Sequence, residues 1–181
     1  NKHPVVMALG AHVIKCGLSP LIIDLMNRRL ITALAMNGAA AIHDYEVSLI
    51  GATSEDVASS LKDGSFGMAK ETAGAFQAAS SQGMKEGRGL GRALGDKIID
   101  EKNRYNDLSL LACAAKLNIP TTVHVALGTD TIHMHPNVSG RDLGESSHID
   151  FKILASVVSK LEGGVWLNVG SAVIMPEVFL K

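Results

Sequence analysis

Apolar positions follow two rhythms along this chain. Four short runs have the apolar look of buried strands: Val5 to Leu9, Ile31 to Met36, Thr121 to Ala126 and Val165 to Val169. Such runs predict parallel strands buried on both faces, since a half-exposed strand would alternate. Elsewhere the spacing lengthens to three and four. Ser19-Pro20 predicts a helix start, with Leu21, Ile22, Leu25 and Met26 along one face. Ala40 to Ile50 predicts a helix after the second run, and Thr53 with Asp56 a capped helix to about Lys62. Asp107 predicts a cap for Leu108 to Leu117. Asp150 predicts a cap for Phe151 to Leu161, closed by Gly163-Gly164. The Gly-, Ala-, Ser- and Lys-rich stretch from Gly64 to Arg104 predicts helices joined by a mobile loop around Ser80 to Gly91.

Strand and helix in alternation predict an α/β fold: an open, mostly parallel sheet with helices on both faces. No repeat or linker interrupts the pattern, so residues 1–181 read as one domain. The chain opens at Asn1 rather than Met and stops at Lys181 within a helical pattern, so terminal segments are expected to be missing. Composition narrows the class. Hydrophobic residues make up 46% and charged residues 19%. No run approaches the roughly 18 apolar residues of a membrane span, so the excess suits a doubly covered sheet and a subunit interface. A net charge of -1 and 4% aromatic residues argue against nucleic acid or an anionic membrane as partner. Cys16 and Cys113 lack CxxC spacing and read as reduced, buried thiols of a cytoplasmic protein.

Candidate chemistry gathers where strands end. Gly10-Ala11-His12 and Asn37-Gly38-Ala39 place small residues after the first two strands, where backbone N–H groups and helix starts can approach a phosphate. Lys15 suits the same anion, whereas Cys16 reads as a small core residue. Thr129-Asp130-Thr131-Ile132-His133-Met134-His135-Pro136 follows the third strand. Asp130 there suits ribose hydroxyls. His133 and His135, two apart, either bind a metal completed by Asp130, His148 or Asp150, or act as hydrogen-bonding loop histidines. His43-Asp44-Tyr45-Glu46 reads either as a substrate-facing cluster or as a solvated helix face. Gly87 to Gly95 mimics a dinucleotide fingerprint, but its sixth position is Arg92 counted from Gly87 and Leu94 counted from Gly89, and no strand precedes it. Arg88 and Arg92 reach an anion only if that loop folds over a site.

The order of these motifs resembles the deoxyhypusine synthase family, in particular its bacterial deoxyhypusine-synthase-like members. Leu9-Gly10-Ala11-His12 with Cys16-Gly17-Leu18 is similar to the family's first strand, nucleotide loop and helix. Ile31 to Asp44 resembles its Thr-Ala-Gly-Gly segment followed by Glu-Glu-Asp. Asn118-Ile119-Pro120 with Thr129-Asp130 resembles its Ile-Pro-Val strand ending in Thr-Asp, and Gly170-Ser171 its later glycine-rich NAD loop. The resemblance implies a Rossmann-like NAD-binding fold, a homotetramer with sites between subunits, and a transferase that oxidises a polyamine or related amine and passes on an aminoalkyl group through an imine. It places Gly10, Ala11, His12, Asn37, Gly38, Ala39, Asp130, Gly170 and Ser171 on NAD, and His43, Asp44 and His133 on substrate. His43 stands where the family carries glutamate, and Met175-Pro176-Glu177 where it carries Lys-His-His. The family's catalytic Gly-Lys segment falls beyond Lys181, so the catalytic residue is unassigned. A nucleotide-binding module without redox chemistry and a metal-dependent hydrolase using His133 and His135 are the alternatives.

Overall fold

The computed structural model describes residues 3–53 and 69–181. Four strands, β1 (Val5–Leu9), β2 (Ala33–Asn37), β3 (Thr121–His124) and β4 (Val165–Val169), form one all-parallel sheet in the order β3-β2-β1-β4. All four expected strands are present, with ends shifted by up to two residues. The expected helix between Thr53 and Lys62 lies, after Thr53, outside the described residues.

Side-chain alternation sorts the sheet into two unlike faces. Met7, Leu9, Leu34, Met36 and Val123 belong to one core, built with α1 (Ala11–Lys15), α2 (Ser19–Asn27), α3 (Gly38–Ile50), α4 (Lys70–Glu86), α5 (Leu90–Glu101) and α6 (Leu110–Leu117). Val6, Ala8, Ala33 and Ala35 belong to a second core, closed by Leu154 of α7 (Gly140–Val158) and Met175 of α8 (Ile174–Phe179). Three alanines on this second face let its two helices lie close to the sheet. The fold is therefore α/β, with helices on both faces, as expected. No helix among the described residues is long and apolar enough to cross a membrane.

Several local expectations are corrected. The Ser80–Gly91 loop is instead helix: α4 runs to Glu86, α5 starts at Leu90, and only Gly87–Gly89 turns. Glycine and serine there serve close helix packing, since a methyl on Gly83 would meet the Arg88 carbonyl at 2.8 Å and the Ala93 methyl at 3.3 Å. Asp107 caps nothing; Ser109 caps α6 by accepting from the Ala112 N–H. Asp150 starts no helix but lies inside α7, fully buried. Cys16 is exposed and Cys113 half-buried.

The two sheet edges differ. The β3 edge is sealed by polar side chains of α7, three residues apart on one helix face. Asp150 Oδ2 accepts from the Val123 N–H (2.8 Å), while the Ser147 hydroxyl donates to the Val123 carbonyl (3.0 Å) and accepts from the Val125 N–H (3.0 Å). Among the described residues the β4 edge carries no such cover. Val165, Leu167 and Val169, expected to be buried, are 47%, 43% and 40% exposed on a strand that pairs with β1 at the end of the described sheet.

Candidate functional site

The strand order places the reversal of chain direction between β1 and β4, where open parallel sheets hold ligands beyond their carboxyl ends. Register brings the expected turns side by side. Leu9 pairs with Met36 and with Val169, and Asn37 pairs with His124, so all four strand tips lie in one row. At the β1–β4 tip Gly10 donates its N–H to the Val169 carbonyl (2.9 Å), and a methyl on Gly10 would overlap the Gly170 carbonyl. Gly170 itself has φ +78°, a conformation that favours glycine. At the β2 tip the Asn37 side chain accepts from the Ala40 N–H (2.9 Å) and caps α3. A methyl on Gly38 would overlap the Asp130 carboxylate. Thus Gly10, Gly170 and Ser171 form one contact and Gly38 with Asp130 another. Ala11, His12 and Ala39 follow their turns directly, with His12 exposed.

Asp130 is partly buried, and burial raises its carboxyl above the ordinary range while nearby His133 pulls it down. His133 Nδ1 accepts two backbone N–H groups, from Gly128 and from Asp130, each at 3.1 Å. Because a backbone N–H only donates, the ring proton sits on Nε2. Nε2 is buried and has no partner among the described residues. It is a donor set in the strand-end loop, ready for an acceptor. The same geometry weakens the metal reading: a ligating histidine normally gives its other ring N–H to an acceptor, and Nδ1 faces donors instead. Among the described residues no group of three His, Cys, Asp or Glu is placed to hold a metal ion.

Several expected residues take other roles. Asp44 is turned to the start of α6, where its carboxylate accepts from the Ser109 hydroxyl (2.6 Å), the Leu110 N–H (2.7 Å) and the Leu111 N–H (3.1 Å). Burial lifts its pKa to about 6, against the lowering effect of those bonds. The Ser171 hydroxyl accepts from the Met175 N–H (3.2 Å), so only its backbone reaches the Gly10 turn. Arg88 pairs with Glu86 and Asp96, and Arg92 with Asp96 and Asn118, which puts Arg92 at the amino end of β3. His43 is buried, with Nδ1 3.0 Å from Glu46 Oε2. The His43–Glu46 stretch is therefore neither substrate-facing throughout nor a solvated face. Tyr45 donates to Glu101 (3.1 Å) and is held neutral by burial and by that carboxylate.

One residue at the strand tips was absent from the sequence reading. His124 ends β3 beside Asn37, is buried, and lies 2.9 Å from the Thr122 hydroxyl. Burial lowers its pKa to about 4, so the ring is neutral at physiological pH. It carried no separate signal in the sequence, because the expected strand ran on to Ala126 and placed His124 inside it.

Comparison with protein-family models and with curated proteins finds no match. Among solved structures, the fold is similar to a crystal structure described as a "putative deoxyhypusine synthase from Entamoeba histolytica", with TM-score 0.54 and 10% identity over 97% of this chain and 72% of that one. At that identity the likeness is one of fold: a four-stranded, all-parallel, Rossmann-like sheet flanked by helices.

Proposed function

We propose that the chain binds NAD across the carboxyl ends of its strands and positions a polyamine or related amine there for oxidation, as a distant deoxyhypusine-synthase-like enzyme working as a homo-oligomer. The observation that carries this reading is the row of strand tips in the order β3-β2-β1-β4, with Gly10, Gly38 and Gly170 at three of them. Two of these glycines also admit a neighbour, Gly10 the Gly170 carbonyl and Gly38 the Asp130 carboxylate, and a pyrophosphate would be met by the backbone N–H groups of the turns. The donor set also fits: Asp130 accepts from ribose hydroxyls, and His133 Nε2 gives its proton to an acceptor it lacks among the described residues.

NAD, when bound, would take a hydride from the carbon bearing the amine. The protein's share is to bind, orient and exclude water. In this reading Gly10, Ala11, His12, Asn37, Ala39 and the Gly170–Ser171 backbone line the cofactor. His43, held by Glu46, is the group assigned to the amine end of the substrate. Asp44 is left out, since both its oxygens are engaged at α6.

The test is thermal unfolding with ligand. NAD at about one hundred times its Kd should stabilise the fold by about 2.7 kcal/mol, which is about 5–10 °C in Tm for a chain of this size. AMP should give much less. Asp130→Ala should remove most of the NAD shift and leave the unliganded Tm within a few degrees. Equal shifts with AMP and NAD would leave a nucleotide module without redox chemistry, and an undiminished shift in Asp130→Ala would move the site elsewhere.

A further inference from the structure

We propose that His133 is a positioning residue: its neutral ring closes the turn after β3 and so fixes the Asp130 carboxylate over the start of α3, set to take a ribose hydroxyl. This role rests on the NAD reading and deepens it. The chain leaves β3 at His124 and brings Asp130 back against Gly38 within one short loop. The return is tight. Thr129 bonds twice to the Ala126 carbonyl, through its N–H (3.1 Å) and its hydroxyl (2.8 Å), and Gly128 takes φ +93°. A single turn of 3-10 helix, Thr131–Met134, follows and anchors itself by burying Ile132 in the core.

Asp130 and His133 close this turn reciprocally. The Asp130 side chain accepts from the His133 N–H, and His133 Nδ1 accepts from the Asp130 N–H at 3.1 Å. Glutamate or glutamine usually fills the second place in such a cap. Histidine does more with it. The same Nδ1 also accepts the Gly128 N–H at 3.1 Å, so one nitrogen gathers the backbone on both sides of Thr129. A ring with few torsions gives up less freedom in holding that geometry than a longer chain would.

Charge explains the choice of residue. Asp130 is seated on bare backbone, since a methyl on Gly38 would overlap its carboxylate. Burial there already raises the Asp130 carboxyl above its ordinary range, and a second negative charge nearby raises such a group further. A glutamate at position 133 would close the turn and supply that charge. An imidazole accepting at Nδ1 closes the turn and stays neutral, which keeps Asp130 in the ionised form that only accepts hydrogen bonds.

Three substitutions separate the parts of this role, read by calorimetric NAD affinity and by unliganded Tm. His133→Gln keeps a neutral acceptor in the cap and should bind NAD within about threefold of wild type. His133→Glu should match it in Tm yet bind NAD about tenfold more weakly, because charge is what separates the two. His133→Ala opens the turn and should weaken NAD by roughly tenfold or more, the worth of one hydrogen bond to a charged group. Where the alanine variant fails to fold, glutamine against glutamate still decides. A nitrogen-15 spectrum of the unliganded wild type should show the His133 ring neutral and protonated at Nε2. Equal NAD affinity in the glutamine and glutamate variants overturns the proposal, as does undiminished affinity in His133→Ala or a proton on Nδ1. A wild type that binds no NAD overturns the reading beneath, and this role with it, whatever the ring spectrum shows.

Discussion

Asp150→Ala is expected to lower stability by about 3 kcal/mol. One oxygen of Asp150 accepts both the Gly91 N–H and the Val123 N–H, at 2.8 Å each. Alanine leaves both donors buried without a partner, and each such group costs about 1–3 kcal/mol. It also opens a space beneath the Gly89–Gly91 turn, where a methyl on Gly89 would already overlap the carboxylate. Removing a buried carboxylate returns part of this loss, because burial raises its pKa to about 7 against the lowering effect of its backbone hydrogen bonds. Asp150→Asn keeps a carbonyl oxygen for both donors and should cost less than half as much. It should also change the pH profile. The native carboxyl holds its proton up to about pH 7, and the unfolded one up to about 3.9. Native protein binds more protons between those values, so the contribution of Asp150 to stability is full at the acid end and is lost as pH rises through 7. Asp44 acts in the same direction up to about 6. Urea unfolding at pH 5 and pH 8 should show the wild type losing more stability over that interval than Asp150→Asn. Equal losses, or an Asp150→Ala effect under about half a kcal/mol, as for a surface change, would remove Asp150 from this role.

The same carboxylate explains why the Gly87–Gly95 stretch resembles an anion-binding loop in sequence. It does cradle an anion, with a tight turn leading into a helix start, but that anion belongs to the protein. A methyl on Gly91 would overlap the Thr121 carbonyl, so α5 packs against β3 through bare backbone. Which anion fills such a loop depends on a residue 59 positions away, beyond any local pattern. The distinction between what could and could not be read follows this line throughout. Strand positions were readable because parallel burial leaves a continuous apolar run, and the Gly10, Asn37-Gly38 and Gly170 turns because backbone approach demands small residues. The exposure of β4 was hidden, since an edge strand and a central one can carry the same apolar residues. Ser80 to Glu86 was misread because small residues serve helix contacts as readily as loops. Asp107 and Asp150 looked like caps in a local window, while the groups that bond the starts of α5 and α6 include Asp150 and Asp44, brought in from other parts of the chain.

Asp44→Ala provides the sharpest separation of fold from function, because sequence resemblance places this residue on substrate and the structure places it under α6. The carboxylate serves two backbone donors and one hydroxyl with both oxygens, at the end of a helix where negative charge is favoured. Removing it leaves the Leu110 and Leu111 N–H groups buried and frees the Ser109 hydroxyl, which itself accepts from the Ala112 N–H. A loss of about 2–3 kcal/mol is expected, corresponding to about 4–12 °C in Tm. Asp44→Asn should fall between wild type and alanine, since an amide offers one acceptor oxygen where two are used. Neither variant should reduce the size of the NAD-induced shift measured from its own unliganded Tm, whereas Asp130→Ala should. Amine binding, followed by calorimetry on the NAD complex, should likewise survive Asp44→Asn. The opposite pattern, an unchanged Tm with ligand response lost, would return Asp44 to the site and require its side chain to leave α6 when ligand binds.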